Sequence, residues 1–128
     1  MMFLPITSSF VAAFAVALVV LSMPVTLRRI KIDVPYGDAP DETLRRRIRA
    51  QGNFVEYVPL SLISLGFVEA SMAAPWMVVT LGGALAAGRV LHAVGMLGGS
   101  TPLRAGGMAL TYLSLLGCAF RLLTKALH

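Results

Sequence analysis

An almost unbroken apolar run, "PITSSFVAAFAVALVVLSMPVTL", extends from Pro5 to Leu27 and stops at Arg28 and Arg29. A helix that crosses a bilayer needs about 20 mostly apolar residues, and this run supplies them. Three more follow, from Arg49 to Met72, from Pro75 to Met96 and from Leu103 to Leu127. The pattern predicts an all-α integral membrane fold. It forms one four-transmembrane-helix bundle over residues 1–128, with spans at about 5–27, 49–72, 75–96 and 103–127. Pro24 removes a backbone donor and can kink the first span. The polar stretch 28–48 contains "PYGDAP", whose turn formers predict a loop. Asp41 then caps a short helix carrying Arg45, Arg46, Arg47 and Arg49. Pro75 starts the third helix, and "GGSTP" is a tight turn before the fourth.

Composition agrees, with 57% hydrophobic and 13% charged residues, far from a soluble domain. The net charge is +5, and its placement matters more than its size. Arg28, Arg29, Lys31, Arg45, Arg46, Arg47 and Arg49 cluster around the first loop, while the connection between the second and third spans has no Lys or Arg. The positive-inside rule therefore puts that loop and "GGSTP" in the cytoplasm, and both termini on the other side of an inner (plasma) membrane. The N-terminal stretch has no basic n-region and its charge follows the apolar run, so it reads as a retained helix rather than a signal peptide. The run Arg45 to Arg47 reads as a membrane-surface anchor. No basic segment is interleaved with aromatics, which argues against nucleic acid as a partner. The lone Cys118 excludes an internal disulfide and reads as a buried, inert thiol. His92 and His128 are too far apart to suggest a metal site. Small residues at Gly83 and Ala87, and at Ala84 and Gly88, have the spacing that lets helix backbones approach closely.

Ionisable groups inside membrane spans are costly and tend to mark function. Arg49, Asn53 and Tyr57 recur every four residues, and Glu56 lies three beyond Asn53, so all four share one side of a helix. At about 1.5 Å per residue Glu56 is roughly 10 Å along from Arg49, already inside the apolar span. Arg89 lies in the third span with His92 one turn further on, and Arg104 opens the fourth. Arg89 is the expected neutralising partner of Glu56 across two helices. Arg104 is also placed to snorkel as an anchor. The residues describe a polar pocket at the cytoplasmic ends of the second, third and fourth helices, open sideways to lipid. Arginines recognise carboxylates bidentately and Glu56 can accept from an ammonium. A ligand with several carboxylates and one amine suits the pocket, and so does an anionic lipid head group.

"RIRAQGNFVEYVPL", then "GRVLHAVG", then "TPLRAGG" resemble the membrane-associated proteins in eicosanoid and glutathione metabolism. That family includes microsomal glutathione transferase, leukotriene-C synthase and microsomal prostaglandin-E synthase. The similarity covers nearly the whole chain. It implies a homotrimer that binds glutathione between subunits near the cytoplasmic side. Arg49, Asn53, Glu56 and Tyr57 match residues that hold the glutathione backbone, and His92 matches a contact residue in the prostaglandin synthase branch. Arg104 matches the catalytic arginine that stabilises the thiolate. Arg28 or Arg29 matches a basic residue that reaches the ligand from the next subunit. Met96, and Met108 one turn into the fourth helix, stand where the prostaglandin synthase branch has tyrosines, and Gly52 where it has an arginine.

The implied activity is glutathione transfer to a hydrophobic small-molecule electrophile, or reduction of one such as a lipid peroxide, without a metal. A fixed guanidinium near sulfur favours the thiolate, the nucleophilic form, over the thiol. The alternative is a non-catalytic lipid-binding or scaffold protein of the same fold. A small transporter fits less well, because the polar residues gather at one end rather than along a path.

Overall fold

The computed structural model describes residues 4–127. They form four helices: α1 (Pro5–Lys31), α2 (Glu42–Ala70), α3 (Pro75–Gly98) and α4 (Thr101–Ala126). Consecutive helices run antiparallel. At one end the Glu69 carboxylate of α2 accepts from the backbone N–H of Ile6 and Thr7, at 3.0 and 2.7 Å. These are orphan donors of the first turn of α1, which has no cap of its own. At the other end Arg28 binds Asp41 through Nε at 3.2 Å and through Nη2. By length and composition α1, α3 and α4 are apolar enough to cross a membrane. The sequence pattern assigns a span to α2 as well, but α2 does not meet that measure, because arginines fill its first turns and Asn53, Glu56 and Glu69 interrupt the apolar stretch that follows.

Two boundaries differ from expectation. The helix capped by Asp41, whose side chain accepts from Leu44 N at 2.6 Å, is not a separate short segment. It continues through Arg49 to Ala70, because residues 42–51 are mostly good helix formers with no proline or glycine to break them. α1 passes through Pro24 and runs on to Lys31, placing Arg28, Arg29 and Lys31 in its last turn, where cations complement the helix dipole. Pro24 lends its carbonyl to α2 instead, accepting from Arg47 Nη1 at 2.9 Å.

Apolar clusters join the helices. Phe14, Phe54, Val58 and Leu85 tie α1, α2 and α3 together, with the Phe14 and Phe54 ring centroids 5.8 Å apart. Leu65, Val68, Val78 and the buried Cys118 join α2, α3 and α4. Val16, Val19, Leu116, Phe120 and other large apolar side chains point outward.

In a bilayer, close packing rather than exclusion of water holds helices together. The closest backbone approaches lie between α3 and α4. A Cβ on Gly88 would stand 2.8 Å from the Gly107 carbonyl oxygen, and one on Gly107 would stand 2.5 Å from His92 N. Gly95 meets the backbone nitrogen of Arg104. Of the small residues singled out in the sequence, Gly88 is therefore a true contact. Gly83 faces open space and Ala87 is exposed, because the buried stripe of α3 runs through Leu85, Gly88, Arg89, His92 and Gly95.

Chemical unfolding in detergent micelles, followed by circular dichroism, should separate these glycines. Gly107→Val should destabilise by about 1–3 kcal/mol through overpacking, and Gly83→Val by less than about 0.5 kcal/mol. A pH titration of the same unfolding tests the end tie. The Arg28 hydrogen bond, and then that from Leu44 N, hold the Asp41 carboxyl below its ordinary value of 3.8. Its contribution is complete above 3.8 and is lost as the pH falls through the lower folded-state value. Asp41→Asn should be less stable than the parent at neutral pH, and the difference should close on the acid side of 3.8.

Candidate functional site

A cleft of about 550 Å³ opens where the start of α2, the end of α3 and the start of α4 meet, within the size range of small-molecule sites. Arg49, Asn53, Glu56 and Tyr57 of α2 line it, together with His92 of α3 and Arg104 of α4. The helical spacing of the α2 residues makes them one wall. Arg28 and Arg29 do not line the cleft. Arg28 is engaged with Asp41, and Arg29 Nη1 donates to the carbonyls of Val34 and Gly37, at 3.4 and 3.1 Å. Four guanidiniums (Arg45, Arg46, Arg49 and Arg104) face two carboxylates (Glu42 and Glu56) around the cleft. Its surface thus carries two unbalanced positive charges.

Arg89 sits behind this wall, only 4% exposed. The expected Glu56–Arg89 ion pair is not formed. Arg89 Nη1 donates to Asn53 Oδ1 at 2.6 Å, while Nε and Nη2 donate to Thr111 Oγ1 at 3.1 and 2.6 Å. Its guanidinium carbon lies 5.7 Å from the centre of the Tyr57 ring, a cation–π distance. The reason is rotational. Asn53 faces α3 directly, and Glu56, about 60° further around α2, points out into the cleft. Among the described residues Glu56 is in no ion pair. The buried Arg89 charge is therefore met by neutral acceptors alone, and its field adds to that of the cleft arginines.

The α3–α4 turn fixes Arg104. Gly99 ends α3 with φ of +74°, a left-handed cap that suits glycine. Ser100 N donates to the Gly95 carbonyl at 2.8 Å, and Arg104 N to the Ser100 carbonyl at 3.1 Å. With no side chain on Gly95, the first turn of α4 lies directly on α3. Arg104 is held there at the cleft edge, beside the N-terminal end of a helix dipole.

Thr111 and Tyr112 belong to this arrangement, and the sequence reading did not assign them to it. Thr111 is fully buried and relays the Arg89 contact to the Gly107 carbonyl, 2.9 Å from its hydroxyl. It lies one turn after Gly107 and seven residues after Arg104, a spacing that marks the inward face of α4. The Tyr112 hydroxyl stands 3.3 Å from that of Tyr57, with the rings edge to face. Tyr112 thus brings a hydroxyl into the cleft, where Met96 and Met108 contribute only thioethers.

A model of the MAPEG family matches residues 7–124. The inner membrane protein YecN of Escherichia coli (strain K12) is 36% identical over 102 residues, covering 80% of this chain and 78% of that protein. The protein of the same name from Escherichia coli O6:H1 matches equally. No solved structure matches the chain. The family match covers nearly the whole bundle and includes every residue of the cleft, and the chain belongs to the MAPEG family.

Proposed function

We propose that this protein is a membrane-bound, glutathione-dependent transferase or peroxidase acting on lipophilic electrophiles. The observation that carries the reading is the charge of the cleft, with two unbalanced positive charges above a buried Arg89 that has no counterion among the described residues. Glutathione as its thiolate carries two carboxylates, one ammonium and one sulfur anion, a net charge of −2 that matches. Arg49 takes a carboxylate in bidentate fashion. The unpaired Glu56 takes the ammonium. Asn53, with Oδ1 held by Arg89, offers its amide N–H groups to the peptide backbone, while Tyr57 and His92 border it. Arg104 faces the sulfur and stabilises the thiolate below the usual thiol pKa of about 8.5. The sulfur lone pair then forms the new bond to the electrophile, whose leaving group or conjugated π system takes the displaced electron pair.

The same reading accounts for the outer surface. Arg49, Glu56, Arg104 and Tyr112 are exposed on the protomer, an arrangement too costly to leave against lipid. A second copy covers them, and three copies close a ring of equivalent interfaces. Arg29, whose Nε and Nη2 are unengaged among the described residues, then reaches the neighbour's cleft more readily than Arg28. α2 crosses the membrane with its charged face buried in that trimer. The basic loop lies in the cytoplasm and both termini on the far side, in keeping with the positive-inside rule, and an inner-membrane location is in keeping with the names of the E. coli relatives.

Ultraviolet thiolate absorbance on adding glutathione to the purified protein in detergent tests the proposal. A saturable signal is expected, and Arg104→Ala should abolish it while calorimetric binding survives. Arg49→Ala should weaken binding by about 10- to 100-fold, the loss of a charged hydrogen bond of about 1.5–3 kcal/mol. Neither signal nor calorimetric binding in the parent protein would sink the enzyme reading and favour a lipid-binding scaffold.

A further inference from the structure

A second cavity, of about 450 Å³, lies beside the cleft between α1, the start of α2 and the end of α3, and shares Glu42 and Arg46 with it. α1 and α3 touch where Phe10 covers Gly82 and Phe14 meets Leu85. Towards the basic end the space between Val20 and Leu97 is open, with Leu21 and Ala50 as further apolar lining. Val20 and Leu97, 63% and 47% exposed, flank it without covering it. Arg46 and Arg47 stand at its polar end with Glu42. Each arginine is anchored by one nitrogen. Arg47 Nη1 donates to the Pro24 carbonyl at 2.9 Å, and Arg46 Nε donates to Glu42 at 2.9 Å. Among the described residues their other guanidinium nitrogens have no hydrogen-bond partner. Two cations against one carboxylate leave a single positive charge at the head of an apolar trough.

We propose that this groove binds one anionic phospholipid per chain, with its phosphodiester on Arg46 and Arg47 and one acyl chain along Val20, Leu21, Ala50 and Leu97. The chemistry selects this occupant. A phosphodiester carries one negative charge and accepts from forked guanidinium donors. A zwitterionic lipid would bring a second cation to a site already positive. A free phosphate would leave the apolar trough empty. The anchored arginines are already oriented, which lowers the ordering cost of binding. The inference does not rest on the glutathione reading, and its test contains no thiol.

Equilibrate the purified protein with vesicles of equal parts phosphatidylglycerol and phosphatidylcholine, extract it gently, and count retained lipids by native mass spectrometry. One phosphatidylglycerol per chain should remain, at least about tenfold over phosphatidylcholine, a difference of about 1.4 kcal/mol. Arg47→Gln, which removes the charge, and Leu97→Trp, which fills the trough, should each cut retention by about tenfold. The second keeps the test valid if the first fails to fold. Leu113→Trp, on an exposed face of α4, should leave it unchanged. Equal retention of both lipids would overturn the proposal, as would unchanged retention in Leu97→Trp. Release of the lipid by millimolar inorganic phosphate would overturn it too, because the acyl chain would then contribute nothing.

Discussion

Arg89 is bonded to two other helices at once, and the arrangement around it follows from that constraint. A guanidinium in a bundle interior must have its donors satisfied. Here Asn53 of α2 and Thr111 of α4 supply the acceptors. Both must then face α3 at the same level, which fixes the rotation of α2 and α4 about their axes. Glycines at 88 and 107 bring the α3 and α4 backbones close enough for Thr111 to serve. Once α2 is rotated so that Asn53 points inward, Arg49, Glu56 and Tyr57 line the open side, and the cleft follows.

The number of helices was legible from apolar run length, the shared wall of Arg49, Asn53, Glu56 and Tyr57 from helical spacing, and the nearness of His92 and Arg104 from their places towards the same ends of their spans. Finer choices were not. Asn53 and Glu56 are neighbours on one helix side, and only the rotation of α2 decides which meets Arg89. Electrostatics on paper favours the carboxylate, but the structure uses the amide and leaves the carboxylate free. The small-residue pattern offered two pairs, and spacing alone could not say that Gly88 faces α4 while Gly83 faces outward. Thr111 carried no signal without a partner in view, since a threonine in an apolar helix is unremarked until something buried points at it. The continuity of α2 was obscured because its charge changes at Arg49 although its backbone does not.

Polar chemistry is concentrated at one end for a local reason. The first turns of α2 and α4 and the last turn of α3 converge there. Two helix N-termini and a group of arginines make a region of strong positive potential. Glu42 and Arg46 line both the cleft and the lateral groove, so the two cavities share one hydrogen-bonded pair at the start of α2.

The ties at the ends of α1 have a mechanical consequence. Glu69 holds the start of α1, and Asp41 and the Pro24 carbonyl hold its end, so α1 is pinned along its length to α2. The glycine contacts pin α3 to α4 in the same way. The protein is thus two stiff hairpins, and the cleft and the groove both lie along the seam between them. Across that seam the Phe14–Leu85 and Val68–Val78 packing and the Arg89 hydrogen bonds join the hairpins at several levels. The end ties therefore hold the α2 wall from which both cavities are built, and loosening the Asp41 or Glu69 tie would disturb the cleft and the groove together.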